Sequence, residues 1–178
     1  MSYITKKISE EDRDILYDIY NELEEITLPT TFSSKGIKGH HHAVKIGVSN
    51  QKNARQACFG VVKYQGKYTL SKYIKKYPEM MYLFEEFIDS HLSGFEFNSV
   101  YVNKNVVCKW HIDSKNVGES LLVGLGEYTS GQSVLKIKNK EIKFNIKSQS
   151  LLFNGSEIEH RSLPFKGDRY SLVFFKTV

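Results

Sequence analysis

From Phe95 to the end of the chain, short apolar stretches follow one another with only a few Gly, Asn or Ser residues between them, and this rhythm narrows the possible folds more than any other feature. Phe97 to Val102, Val106 to Trp110, Ser120 to Leu125, Val134 to Lys138, Glu141 to Ile146, Ser150 to Phe153 and Ser171 to Lys176 are each four to six residues long and rich in Val, Ile, Leu and Phe. Such runs read as strands, and evenly spaced antiparallel strands build a sandwich or a jelly roll. The clearest hairpin turns around Asn139-Lys140, because Leu135, Ile137, Ile142 and Phe144 are apolar while the positions between them are mostly polar.

The first half of the chain has a different period. Ser9-Glu-Glu-Asp12 resembles a capping box, and Ile15, Leu16, Ile19, Tyr20, Leu23 and Ile26 recur at helical spacing until Pro29. A second helix runs from Pro78 with Met81, Leu83, Phe84, Phe87 and Ile88 as its inner stripe. Between the two, Ala43 to Val48 and Ala57 to Tyr64 read as strands, with a turn at Gln65-Gly66. The expectation is therefore one domain over residues 1–178, mainly β with flanking α-helices: a jelly-roll core in 95–178 buttressed by a helical, basic part in 1–94.

Charge is distributed unevenly. Residues 1–30 hold eight acids and three bases, whereas residues 26–78 hold ten Lys or Arg and no acid. A long segment of one sign attracts polyanions, and nucleic acid is the obvious one. The competing explanation is a solvated lysine face, since Lys outnumbers Arg 21 to 4. No stretch approaches 18 consecutive apolar residues, and Met1-Ser-Tyr-Ile-Thr-Lys-Lys7 lacks the apolar core of a signal peptide, which predicts a soluble intracellular protein with no membrane partner. Cys58 and Cys108 are too few and too far apart for a disulfide framework or a zinc site and read as buried free thiols.

The residues that carry chemistry are His111-Ile112-Asp113, then His160 forty-seven positions after the aspartate, then Arg169-Tyr170-Ser171. Side chains at i and i+2 of a strand project from one face, so His111 and Asp113 can meet one metal ion while His160 arrives from a distant strand. Two histidines and a carboxylate on one side of an ion make the facial triad of non-heme Fe(II) oxygenases, with the other side left open. Arg169 opens the last apolar run, and an arginine grips a carboxylate through two parallel hydrogen bonds. An HxD triplet alone is a weak signal; His160 and Arg169 in strand-like surroundings make it a strong one.

Over His111-Ile-Asp-Ser-Lys-Asn-Val-Gly-Glu-Ser120 the chain resembles the Fe(II)/2-oxoglutarate-dependent dioxygenases, and within them the branch of the TET 5-methylcytosine dioxygenases and J-binding-protein thymine hydroxylases. The run is similar to that branch's H-x-D-x-x-N-x-x-G-S, with one residue fewer before the glycine. Asn103-Lys-Asn105 and Gly124-Leu-Gly-Glu-Tyr-Thr-Ser-Gly131 also look familiar. The resemblance spans about residues 55–178 and implies a double-stranded β-helix. It implies that His111, Asp113 and His160 bind Fe(II), and that Arg169 with Ser171 holds the distal carboxylate of 2-oxoglutarate. It further implies that Asn116 contacts a target base. Dioxygen would be the second co-substrate, succinate and carbon dioxide the released products, and a methyl group of 5-methylcytosine or thymine in DNA the target. Two cysteines are too few for the Cys-rich zinc-binding region that precedes the TET catalytic domain.

Tyr101 and Asn103 share a strand face leading towards the metal, where they either bond 2-oxoglutarate or form an ordinary polar face. Arg55, just before a strand, is a candidate to touch phosphate or co-substrate. The loop Gly39-His-His-His-Ala43 either lines the mouth of the site or is simply exposed. Trp110 should point away from His111 into the core, and His91 should be structural. The motif also accommodates a 2-oxoglutarate-dependent hydroxylase of protein side chains, of the prolyl type, or a nucleic-acid-binding jelly roll whose metal site is idle. No oligomer is implied.

Overall fold

The computed structural model describes residues 2–29 and 54–177; the strand expected over Ala43 to Val48 and the loop Gly39 to Ala43 lie outside the described residues. In chain order the elements are β1 (Tyr3–Lys7), α1 (Glu10–Glu25), β2 (Arg55–Tyr64), β3 (Lys67–Leu70), α2 (Lys72–Lys76), α3 (Pro78–His91), β4 (Ser99–Lys104), β5 (Ser120–Leu125), β6 (Tyr128–Ser130), β7 (Ser133–Ile137), β8 (Lys140–Phe144), β9 (Gln149–Phe153), β10 (His160–Ser162), β11 (Phe165–Gly167) and β12 (Tyr170–Phe175). Seven strands form an antiparallel sheet in the order β1-β9-β5-β12-β4-β2-β3, three form β10-β7-β8, and β11 pairs with β6. This is the mainly β architecture with flanking helices that the sequence predicts, consistent with a jelly roll of one large and one smaller sheet beside a two-stranded pair.

Alternation along the strands divides the apolar residues between two cores. On β12, Leu172 and Phe174 face the helices, together with Val100 and Val102 of β4, Leu121, Val123 and Leu125 of β5, and Ala57 and Phe59 of β2. Ile15, Leu16, Ile19 and Leu23 of α1 and Phe84, Phe87 and Ile88 of α3 cover them. Every one of these larger side chains removed from water contributes roughly 1.5–3 kcal/mol. The second core, Leu135, Ile137, Phe144, Ile146, Leu151, Phe153 and Ile158 with Leu122 against it, fills the space on the other face of the large sheet. That inner space also holds the residues of the expected site.

Local signals explain most of the elements. Ser9 caps α1 as a full capping box: its Oγ accepts from the Asp12 N–H at 3.0 Å, and the Asp12 carboxylate accepts from the Ser9 N–H at 3.0 Å. Pro78 opens α3, where its missing N–H costs nothing. Gln65-Gly66 turns β2 into β3, both with positive φ, a primed hairpin turn. The β7–β8 hairpin turns at Lys138-Asn139, φ 51° and 64°, one residue before the expected Asn139-Lys140. Residues 106–110 form no strand, contrary to expectation; Val106 is buried, but the segment crosses irregularly towards the inner face. Among the described residues no helix is long and apolar enough to cross a membrane.

One buried polar contact ties the helical layer to the sheet. His91, 1% exposed at the end of α3, bonds the Asp12 carboxylate through Nδ1 at 2.8 Å and the Ser150 hydroxyl of β9 through Nε2 at 2.6 Å, and it stacks on Phe87. The histidine is structural, as the sequence suggests. Burial alone pushes the Asp12 carboxyl up, but hydrogen bonds from His91, Ser9 and Ser90 outweigh it and hold the group below its ordinary value. The stability this contributes is complete above the unfolded carboxyl's 3.8 and disappears as pH falls through the depressed folded value. Asp12→Ala should cost about 3 kcal/mol at neutral pH, read from the urea midpoint, because it strands a buried histidine. Between pH 5 and pH 3 the wild type should lose more stability than the variant.

Candidate metal centre

His111 and His160 face each other across an isolated antiparallel bridge, with the His111 N–H donating to the His160 carbonyl at 3.1 Å and the His160 N–H donating to the His111 carbonyl at 3.0 Å. Directly paired residues project to the same side, so the two rings stand with centroids 4.3 Å apart. Asp113, two residues on, is pinned by its N–H to the Gly155 carbonyl at 2.8 Å and points the same way. One ligand atom from each of His111, Asp113 and His160 lies within 4.8 Å of the others, the convergence the sequence predicts.

The donor chemistry fits a cation. His111 Nδ1 lies 2.7 Å from the Lys109 carbonyl and His160 Nδ1 lies 2.8 Å from the Ile158 carbonyl. A carbonyl only accepts, so each Nδ1 carries the hydrogen, and the Nε2 of a neutral ring presents a lone pair. Those Nε2 atoms stand 3.7 Å and 3.1 Å from the Asp113 carboxylate, which is also acceptor-only when ionised. Acceptors crowded together repel unless an imidazole is protonated or a metal ion sits among them. Two imidazoles oriented by backbone carbonyls are the usual supporting shell of a metal site.

Arg169 lies on the same inner face. It is 2% exposed, its Nε donates to the Gly131 carbonyl at 3.1 Å, and its guanidinium carbon stands 5.5 Å from the centre of the Tyr128 ring. Burial pulls its affinity for the proton down, yet a guanidinium stays charged. Among the described residues no carboxylate forms an ion pair with it, and the buried Tyr128 hydroxyl beside it has no acceptor of its own. A buried cation without an anion is costly. The charge and hydrogen-bond donors there suit an added carboxylate.

The neighbouring strands supply a polar row. Gln56 of β2, Asn103 of β4, Ser171 of β12 and Gly124 of β5 sit side by side in register. Gln56 Nε2 donates to Asn103 Oδ1 at 2.7 Å, and Asn103 Nδ2 donates to the Ser171 hydroxyl at 3.3 Å. Gly124 leaves room for Tyr128: a Cβ there would lie 2.4 Å from its hydroxyl. Tyr101 shares this face two residues before Asn103; burial raises its phenol well above the usual value, and the nearby Asp113 carboxylate adds to the shift. Burial likewise pushes the free, half-buried thiols of Cys58 and Cys108 up to about 12, so neither is a ready nucleophile.

Three expected residues stand apart from this group. Asn116 is half-buried in the loop after Asp113, its N–H donating to the Asp113 carbonyl at 3.0 Å and its Nδ2 to the Ser120 hydroxyl at 3.3 Å. Arg55 shares a register row with Lys104 and Tyr170 on the helix-facing side of the large sheet, where its Nη1 donates to the Leu28 carbonyl at 3.0 Å. Trp110 does point away from His111, but it joins neither apolar core; it is half-buried between two cations, Lys136 Nζ at 4.6 Å and Arg161 Cζ at 4.7 Å.

Sequence reasoning gave no role to Tyr128, Gly131 or Gly155. Tyr128 and Gly131 lie in a run already noticed for its resemblance, which was their only signal. Gly131, at φ +66°, permits the close approach of Arg169, whose Nε would lie 3.0 Å from a Cβ.

No family model and no curated protein matches the chain. Solved structures do resemble it. NgTET1 in complex with 5mC DNA aligns over 78% of this chain and 65% of that one, at 16% identity and TM-score 0.52. A Pseudomonas putida prolyl-4-hydroxylase aligns over 99% of this chain and 92% of its own, at 13% identity and TM-score 0.54. A full-length Neurospora crassa protein in complex with alpha-KG aligns over 99% and 76%, at 10% identity and TM-score 0.56. At these identities the likeness is one of fold, and the chain spans just under two thirds of NgTET1.

Gly155 gives a direct test of the ligand geometry, because a Cβ there would lie 3.3 Å from Asp113 Oδ2 and 3.5 Å from His160 Cε1. Gly155→Ala should weaken binding of Mn(II) or Co(II) about tenfold, measured by calorimetry, while changing the fold little by circular dichroism.

Proposed function

We propose that this chain is an Fe(II)- and 2-oxoglutarate-dependent oxygenase that hydroxylates a methyl group on a pyrimidine of DNA. The observation that carries the reading is one inner face presenting both a convergent His-Asp-His acceptor set and a buried guanidinium with no counter-ion among the described residues. The likeness to the N. crassa protein with alpha-KG and to NgTET1 with 5mC DNA supports it. So does the acid-free stretch of ten bases over residues 26–78.

In this reading His111, His160 and Asp113 hold the iron from one side and leave the other side open. When bound, iron with 2-oxoglutarate and dioxygen supplies the oxidising power for an unactivated C–H bond, with succinate and carbon dioxide released. Arg169 grips the distal carboxylate, the Ser171 and Tyr128 hydroxyls complete its hydrogen bonds, and Asn103 orients Ser171. Tyr101, kept neutral by burial, lines the way between that carboxylate and Asp113 as a hydrogen-bond donor. Asn116 reads the edge of the base, exchanging its long bond to Ser120 for one to the substrate. A methyl group inside a duplex is out of reach, so the nucleotide must be flipped out, at a cost of a few kcal/mol. Phosphate contacts from the basic stretch offset that cost. Arg55, on the other face of the sheet, serves phosphate rather than co-substrate.

One observation favours a second substrate class. The P. putida prolyl-4-hydroxylase matches nearly the whole of both chains, and the metal and anion sites would serve a peptide equally well.

Anaerobic addition of Fe(II) and 2-oxoglutarate should produce a weak visible absorption band that is absent in His111→Ala. Arg169→Ala should raise the 2-oxoglutarate concentration needed for that band by about a hundredfold or more, since a buried charge-assisted pair is lost. With oxygen admitted, an oligonucleotide carrying 5-methylcytosine or thymine should gain one oxygen as succinate appears. Its binding should weaken steeply with salt. Turnover of a proline peptide with no change in the oligonucleotide would favour the second class.

A further inference from the structure

Behind the bridge that joins His111 to His160, on the face away from the triad, the flanking positions are Trp110 and Arg161. Their side chains meet, with the guanidinium carbon 4.7 Å from the centre of the indole ring. Lys136 of β7 approaches the same ring at 4.6 Å. Each cation is tied down in turn: Arg161 Nη2 donates to Glu141 of β8 at 2.7 Å, and Lys136 Nζ lies 3.8 Å from the Glu159 carboxylate. One aromatic ring thus links the segment carrying His111 to three neighbouring strands.

The other ties on that segment are hydrogen bonds along its backbone: the Cys108 N–H donates to the Ser162 hydroxyl at 2.8 Å and the Asp113 N–H to the Gly155 carbonyl at 2.8 Å. Residues 106–110 form no strand, and the backbone bonds joining it to β10 are the reciprocal pair of the bridge and one from the Ser162 N–H to the Cys108 carbonyl at 3.1 Å. These bonds fix where the backbones touch, but all of them run along the line of the chain, so a tilt about that line is opposed mainly by side chains packed to either side of it. Rocking would change the separation of the His111 and His160 Nε2 atoms, which a bound metal requires to be constant. A planar guanidinium stacked on an indole resists the motion from the opposite face.

We propose that Trp110 and Arg161 are positioning residues for the metal centre: their stack holds the two histidines at the spacing that one ion demands. The inference rests on the metal-binding reading above and assigns these residues no contact with metal, co-substrate or substrate. Its energetic basis is preorganisation, because a triad held open at its bound spacing does not have to be ordered when the ion arrives.

The test is binding of Mn(II) or Co(II) by calorimetry to the full chain, with apo unfolding in EDTA measured alongside. Trp110→Ala should bind metal about tenfold more weakly, the lower end of what loss of a supporting contact costs, with a nearly unchanged apo melting temperature. Trp110→Phe, which keeps an aromatic face, should recover most of the affinity, and Arg161→Lys, which keeps the charge without the planar stack, should recover only part of what Arg161→Ala loses. Wild-type affinity in Trp110→Ala would overturn the inference while leaving the oxygenase reading intact. So would a loss of affinity that simply tracked a loss of apo stability across all four variants. Failure of the wild type to bind either ion would instead overturn the metal-centre reading itself.

Discussion

Two reciprocal backbone hydrogen bonds, between His111 and His160, are the constraint on which the rest of the site depends. In an antiparallel sheet a one-residue slip turns every side chain to the opposite face. Shifted by one, Trp110 or Ile112 would replace His111 beside the aspartate, and no metal set would exist. The register is secured from several directions at once. His160 is paired with Leu135 of β7, Leu135 is paired with Ile142 of β8, and Leu135 and Ile158 are buried in the inner core. Packing an apolar residue on the inner face of the small sheet therefore also decides which way the imidazoles point.

The two faces of the large sheet divide the work. The helix-facing side is apolar through its centre, with Arg55 and Lys104 at one end, and is clamped by α1 and α3, so it supplies the burial that folds the chain. The inner side is apolar at the β9–β5 end and polar at the β2–β4–β12 end, where Gln56, Asn103, Ser171 and Arg169 replace aliphatic residues. β5 shows the division within one strand. Leu121, Val123 and Leu125 serve the helical core, Leu122 serves the inner core, and Gly124 gives up a side chain altogether so that Tyr128 can reach towards Ser171. A sheet with one side committed to stability can carry a costly polar group on the other.

How much of this was legible in the sequence follows from which interactions are local. The capping box at Ser9, Pro78 at the head of α3, and the alternation in Ser120 to Leu125 and in the last strand all announce themselves within a few residues, and the structure places those elements within a residue or two of expectation. The convergent His111, Asp113 and His160 were legible because their chemistry is carried by residue type: two histidines and an aspartate have few reasons to share strand-like contexts. Residues 106–110 misled because a run of Val, Val, Cys and Trp satisfies strand propensity, whereas the tertiary fold uses that stretch to cross irregularly into the site. β6, β10 and β11 are three residues each, too short for any periodicity to register. Tyr128 and Gly131 matter only through what they touch across the fold. Trp110 shows the same limit: its side was right, but that its partners would be Lys136 and Arg161 rather than aliphatic residues depends on which strand lies beside it.

The charge placed inside the fold explains why the two halves of the site belong together. Arg169 is buried beside a phenol and a carbonyl, neither of which neutralises it, while the Asp113 carboxylate stands 3.7 Å and 3.1 Å from the Nε2 atoms of His111 and His160. A fold selected for stability alone would pair or delete a cation like Arg169, since replacing a buried ion with an apolar residue is often neutral or favourable. Keeping a cation and an acceptor cluster apart on one inner face, each oriented by fixed backbone partners, costs stability in the ligand-free state. A molecule carrying a carboxylate at one end and metal-chelating oxygens at the other would satisfy both groups at once. On the proposed function, binding free energy gained this way would be specific, because a ligand must match both groups at once. On that function, the electrostatic cost that lowers the stability of the ligand-free fold is the same quantity that would make it selective.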